Sequence, residues 1–195
     1  LRLKVEKFYT LDIQTVTIRR ERISIPAIPF YTMLPDSIGY IHHSDFTEGC
    51  SEQMRSAVND LKKQGARGLV LDYRSNVGGI LQEAVAIVSL FVPKGTEVGS
   101  IRGRQSDSNK TYYTETEPID TLIPIAVLTD SYTASSAEIV AGALQDLDRA
   151  VLIGRRTFGK GLVQSTLPTG FNSYLKVTTA KYYIPSGRCI QAIDY

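Results

Sequence analysis

The sequence predicts an α/β fold built from βαβ units, with a strand-rich C-terminal segment and a β-hairpin at the N-terminus. Three observations carry this. The runs Gly68-Leu-Val-Leu-Asp72, Ile125-Ala-Val-Leu-Thr129 and Ala150-Val-Leu-Ile153 are short, solidly apolar and strand-like. The stretches between them place apolar residues at helical spacing. Each of the first two runs gives way to a polar or glycine-rich turn before the next helix begins. Apolar strands alternating with amphipathic helices imply parallel pairing, a sheet covered on both faces, and functional residues at the C-terminal ends of strands.

Residues 1–24 alternate apolar and polar through Leu3, Val5, Ile13, Val16 and Ile18, with a break over 9–12, which predicts two short strands of a hairpin. A lone hairpin is marginal, so these strands are expected to complete something larger. Pro26, Pro29 and Pro35 make 25–36 an irregular linker. A strand over 38–43 precedes a helix over about 51–64 with Met54, Val58 and Leu61 on one face. After the run ending at Asp72, a helix over about 80–91 buries Leu81, Ala84, Val85, Val88 and Phe91. Residues 98–116 read as an exposed hairpin around the tip Ser106 to Lys110. A third helix, 135–147, presents Ile139, Val140, Ala143, Leu144 and Leu147, and 162–184 is rich in strand formers such as Thr178, Thr179, Tyr182 and Tyr183.

Composition removes several classes of function. With 195 residues, 43% hydrophobic and 22% charged, the chain suits one well-cored domain and neither a fibre nor a disordered tail. A formal charge of +2 gives no nucleic-acid or membrane-surface signature, so no nucleic-acid partner is expected. Cys50 and Cys189 are too few for a disulfide scaffold and lack metal-knuckle spacing. No metal or cofactor is expected. The chain opens at Leu1 directly as strand, which is the pattern of a fragment or processed form.

Two segments sit where such a sheet places chemistry. The first, Ser131 to Glu138, runs from a buried strand into a helix, and Ser135-x-x-Glu138 fits a capping box. The second, Gly154-Arg-Arg-Thr-Phe-Gly-Lys-Gly161, matches G-x-x-x-x-G-K of a phosphate-binding loop. Position 161 is glycine where the magnesium-binding hydroxyl belongs, and the alternating Leu162 to Pro168 continues as strand, so the phosphate lacks its helix N-terminus. Together the segments offer a different chemistry. A serine hydroxyl needs a base to become a nucleophile, and a lysine can serve once neutral. An ordinary lysine pKa of about 10.4 requires desolvation to reach that state. Glycines flank Lys160, Phe158 could exclude water, and Gln164 lies on the same face of the following segment if the chain bends. The adjacent His42 and His43 point to opposite faces of a strand and form no pair, although either could meet Ser135 in space. For the developing oxyanion, Asp72-Tyr-Arg-Ser-Asn-Val-Gly-Gly79 offers the amides of Gly78 and Gly79, and the Ser136 amide opens a helix. Asp146 lies 11 residues beyond Ser135 on one helix, roughly 16 Å away, too far to act on that hydroxyl.

These residues have a familiar order. Ser37-Ile-Gly-Tyr-Ile41, Asp72 to Gly79, Thr133-Ala-Ser-Ser-Ala-Glu-Ile-Val-Ala-Gly142, Gly154 to Gln164 and Thr178 to Gly187 closely resemble the carboxyl-terminal processing (tail-specific) serine proteases. The resemblance covers the chain from about residue 24. It implies a Clp protease/crotonase-like core over 25–195, with 1–24 as the last strands of a PDZ-like domain. It also implies a serine endopeptidase cleaving protein substrates near unstructured C-termini, in the cell envelope at the periplasmic or outer side of the inner membrane. Carried over by motif, the nucleophile falls on Ser135, the general base on Lys160, the orienting amide on Gln164 and the helix aspartate on Asp146. Ser136-Ala137 stands where the family reads Ala-Ser, which makes Ser136 a rival serine.

Overall fold

The computed structural model describes residues 1–21, 25–104 and 109–192. In chain order the elements are β1 (Arg2–Glu6), β2 (Ile13–Thr17), β3 (Phe30–Leu34), β4 (Ile38–His42), α1 (Cys50–Lys63), β5 (Gly68–Asp72), α2 (Leu81–Val88), β6 (Glu97–Gly103) and β7 (Lys110–Tyr113). They continue with β8 (Ile125–Thr129), α3 (Ser136–Asp146), β9 (Val151–Gly154), β10 (Leu162–Gly170) and β11 (Ser173–Tyr183). The α/β class, the N-terminal hairpin and the strand-rich end are as expected from the sequence.

The central sheet has the order β3-β4-β5-β8-β9, parallel from β4 to β9 with β3 antiparallel at its edge. Edge strand β3 corrects the linker expected over 25–36. Its run Phe-Tyr-Thr-Met-Leu is a good strand former, and Pro29 and Pro35 bound it without interrupting its pairing from Phe30↔His42 to Leu34↔Ile38.

The expectation of a sheet covered on both faces is also corrected. Ile41, Leu69, Leu71, Ile125 and Val127 are buried in one core with Met54, Val58 and Leu61 of α1, Ala84, Ile87 and Val88 of α2, and Val140, Ala143 and Leu144 of α3. The paired row Thr32, Tyr40, Val70, Ala126 and Val151 on the other face is half-buried or exposed. Topology explains the difference. Helices occupy both faces only where the strand order reverses, whereas β4-β5-β8-β9 advances in one direction. Right-handed crossovers then put α1, α2 and α3 on the same side. An open groove of about 970 Å³ on the bare side is lined by Phe30, Thr32, Tyr40, His42, Arg74 and Asp130, among others.

The hairpin expected over 98–116 is present as β6 paired antiparallel with β7, but its first strand is not exposed as expected. Its strands β6 and β7 belong to a four-stranded antiparallel sheet, β10-β11-β6-β7, in which β6 is an inner strand with Val98 fully buried. The exposed hairpin expected there overlooked the partner β11, some 80 residues away in sequence. Part of its tip, 105–108, lies outside the described residues.

Candidate active site

The turn between β8 and α3 is assembled by Asp130. Its carboxylate accepts from the amides of Ser75 at 3.0 Å, Tyr132 at 2.9 Å and Thr133 at 2.9 Å. Burial would raise the pKa of this group, but these bonds outweigh it and hold the carboxyl below the usual carboxylate value. Thr133 Oγ1 donates in turn to Tyr73 O at 2.9 Å, and the Ala134 amide donates to Asn76 O at 2.9 Å. The turns after β5 and β8 are thereby joined into one platform.

Ser135 follows on this platform as N-cap of α3, with φ 57° and ψ −120°. An ordinary N-cap sits in the extended region. A non-glycine residue held at positive φ instead costs roughly 1–3 kcal/mol and persists only where surrounding bonds impose it. Strand-to-helix turns of this kind present a serine hydroxyl outward at the top of a sheet. Ser135 is partly accessible, whereas Ser136 is 1% exposed and its Oγ donates to Gly79 O at 2.9 Å. The hydroxyl free for chemistry is that of Ser135.

The loop after β5 packs directly on this serine. A Cβ on Gly78, whose φ is +85°, would lie 2.8 Å from Ser135 Cβ and 2.7 Å from the Ser136 nitrogen. Gly79 is pressed on Phe46, where a Cβ would meet the carbonyl oxygen at 2.3 Å, and the Ile80 amide donates to that oxygen at 2.8 Å. Asn76, fully buried, was not singled out from the sequence. Its Nδ2 donates to His43 O at 2.7 Å, and its Oδ1 accepts the Gly78 amide at 2.9 Å. A lone asparagine ahead of two glycines was the available signal, since Asx turns hold such loops.

Lys160 lies on the loop between β9 and β10. Three consecutive amides of that loop bond to the segment around Ser135: Phe158 N to Thr133 O at 2.9 Å, Gly159 N to Glu138 Oε1 at 2.6 Å, and Lys160 N to Glu138 Oε2 at 2.8 Å. The backbone of the lysine loop is therefore held beside the serine turn. Its side chain is not inserted there. Lys160, Phe158 and Gln164 are all exposed, and no hydrogen bond joins Lys160 or Gln164 to Ser135 among the described residues. The exclusion of water from Lys160 by Phe158 that the sequence suggested is not present, since both side chains are exposed. Strand β10 carries a register shift against β11 at Val163/Gln164. The strand continuation that weighed against a phosphate loop is present as β10.

The histidines fall on opposite faces, as their spacing implies. His43 is fully buried, its ring 4.4 Å from that of Phe46 and 5.3 Å from that of Tyr73, and burial lowers its pKa to about 4. His42 lines the groove on the bare sheet face. Asp146 accepts the Ser186 amide at 2.9 Å and pairs with Arg188, the structural role its distance from Ser135 suggested. Cys50 and Cys189 are both free thiols. No cluster of three or more His, Cys, Asp or Glu with metal-holding geometry occurs among the described residues.

Residues 37–194 match the family described as Peptidase family S41. The chain belongs to that family. It is 39% identical over 187 residues to a carboxy-terminal-processing protease of Bartonella bacilliformis, an alignment covering 94% of this chain and 42% of the relative. It is 34% identical over 175 residues to the carboxy-terminal processing protease CtpA of Bacillus subtilis, covering 90% of this chain and 37% of that protein. Among solved structures, a photosystem II D1 C-terminal processing protease superposes with a TM-score of 0.77 at 31% identity, covering 92% of this chain and 49% of that one. The chain of this S41 member thus spans about two fifths of the length of the curated relatives it matches.

Proposed function

We propose that this chain is the peptidase core of a carboxyl-terminal processing serine protease, with Ser135 as nucleophile and Lys160 as general base. The observation that carries the reading is the Ser135 turn, strained at φ 57° and partly accessible, with the glycine loop on one side and the lysine loop bonded on the other. In the reaction, Ser135 Oγ attacks the scissile carbonyl while neutral Lys160 takes its proton. Lys160 then delivers that proton to the leaving amine, and a water repeats the sequence on the acyl-enzyme. Gln164 holds the amine in line once the lysine turns inward. The oxyanion faces the Ser136 amide, first in α3 and without a helical partner of its own, and the Gly79 amide beside it. Gly78 shapes this hole by lacking a side chain, since its amide is bonded to Asn76.

Substrates in this reading are proteins with unstructured C-termini, met outside the cytoplasm. Residues 1–24 are the closing strands of a PDZ-like domain that recognises them, which fits the exposure of hairpin β1–β2. The test is hydrolysis of an unstructured peptide by the wild type and by Ser135→Ala, Lys160→Ala and Ser136→Ala. The first two are expected to be inactive with the fold intact, and the third active. An inactive Ser136→Ala beside an active Ser135→Ala would move the nucleophile by one residue.

A further inference from the structure

We propose that Glu138 is a positioning residue that locks the backbone of the lysine loop to the nucleophile turn, beyond its part in capping α3. The inference rests on the Ser135–Lys160 reading. In an ordinary capping box the carboxylate three residues into the helix accepts one amide, that of the N-cap. Here it accepts three. Ser135 N donates to Oε2 at 2.7 Å, Lys160 N to the same oxygen at 2.8 Å, and Gly159 N to Oε1 at 2.6 Å. Glu138 is 4% exposed, so these bonds form away from water, where charge-assisted contacts are strongest.

The arrangement depends on the residue types at both ends. Gly159 has φ +85°, and a Cβ there would sit 2.4 Å from Ala192 Cβ, so only glycine fits this part of the loop. A carboxylate is acceptor-only at both oxygens. A glutamine carries one oxygen and must turn its NH₂ either toward Gly159 N–H or toward the Ser135 and Lys160 N–H pair. It keeps the shape and loses part of the lock in either orientation.

The consequence concerns the base. Since the Lys160 side chain is exposed and unbonded to Ser135, the structure fixes the origin of that side chain, not its tip. The amine reaches the serine by rotation about its own bonds from that origin, so a displaced loop changes the distance and angle at which the base meets the hydroxyl. A misplacement of about 1 Å in a reacting group can cost about 100-fold in rate.

Glu138→Gln and Glu138→Asp are compared with the wild type, Ser135→Ala and Lys160→Ala. The readouts are kcat and KM on an unstructured peptide, the rate of fluorophosphonate labelling, and backbone amide exchange, each taken well below the variant's own Tm. A positioning role predicts kcat for Glu138→Gln about 100-fold lower with KM within about twofold, and Ser135 labelling slowed by a similar factor. Glu138→Asp is expected to fall in the same direction. Exchange is expected to rise at Gly159 and Lys160 while the middle of α3 stays protected. Wild-type kcat in a folded Glu138→Gln, or a change in KM alone, overturns the proposal. Should the glutamine variant not fold, rapid exchange of the Gly159 and Lys160 amides in the wild-type protein would overturn it equally. Retained activity in Ser135→Ala or Lys160→Ala would refute the dyad instead, and the exchange data would still decide whether the lock exists.

Discussion

Replacing Gly78 with alanine separates two costs that the structure sets at this position. The first is backbone strain. At φ +85° an alanine pays roughly 1–3 kcal/mol in stability. The second is contact, because the new Cβ would lie 2.6 Å from Ala134 O and 2.8 Å from Ser135 Cβ. Carbon atoms pack at about 3.5–4.0 Å, so the loop must retreat from the serine by about 0.7–1.2 Å. A retreat of that size at an oxyanion hole predicts a fall in kcat of about 100-fold, equivalent to about 2.7 kcal/mol of transition-state stabilisation. Gly95→Ala supplies the control, since its φ is +84° and nothing lies within 4 Å of the added atom. Peptide hydrolysis and thermal unfolding measured on both variants should show a loss of Tm in each, larger in Gly78→Ala because of the added contacts, but a loss of kcat only in Gly78→Ala. Full activity in Gly78→Ala, or equal activity losses in the two variants, would refute the proposed role of this loop beside Ser135.

Ser136→Ala removes the hydroxyl bonded to Gly79 O and should lower stability by about 1 kcal/mol in thermal or urea unfolding while hydrolysis continues. Lys160→Arg should be inactive in a peptide assay at every accessible pH, because a guanidinium does not give up its proton to serve as a base. Asp120 accepts from Lys62 Nζ at 2.5 Å and from the Leu122 and Ile123 amides at 2.8 and 2.9 Å. Burial opposes this carboxylate's charge, yet those partners outweigh it and lower its pKa from 3.8 to about 2. The folded state therefore binds fewer protons, and the stability it gains is full above about pH 4 and is lost as the pH falls through about 2. Asp120→Asn should cost about 2 kcal/mol near neutral pH, and urea unfolding between pH 4 and 2 should show a shallower acid loss than the wild type.

Element types were legible where one periodicity dominated. The apolar run ending at Asp72 and the helical spacing of Ile139, Val140, Ala143 and Leu144 gave β5 and α3 close to their observed bounds. Strand β3 was hidden by its flanking prolines, which mark a strand's ends as readily as a linker. The single-sided helix layer depends on strand order, and local sequence does not encode strand order. In the site, Ser135 and Lys160 stood out because their chemistry is unusual at the end of a strand or in a glycine turn. Asn76 and the second duty of Glu138 did not, since each acts through backbone groups brought close by folding. Only one half of the capping box forms, since Ser135 N donates to Glu138 Oε2 while the Ser135 hydroxyl makes no capping bond. Glu138 does cap the turn, and the positive φ of Ser135 is what an ordinary cap leaves unexplained.

Mass spectrometry of the protein after fluorophosphonate treatment tests whether Ser135 is a nucleophile activated by Lys160. The predicted result is a single adduct on the peptide containing Ser135, localised to that residue by fragmentation, and missing from Lys160→Ala while that variant keeps the wild-type fold. An adduct on Ser136, an adduct on Ser135 formed equally fast without Lys160, or no adduct on a protein that hydrolyses peptides would contradict it.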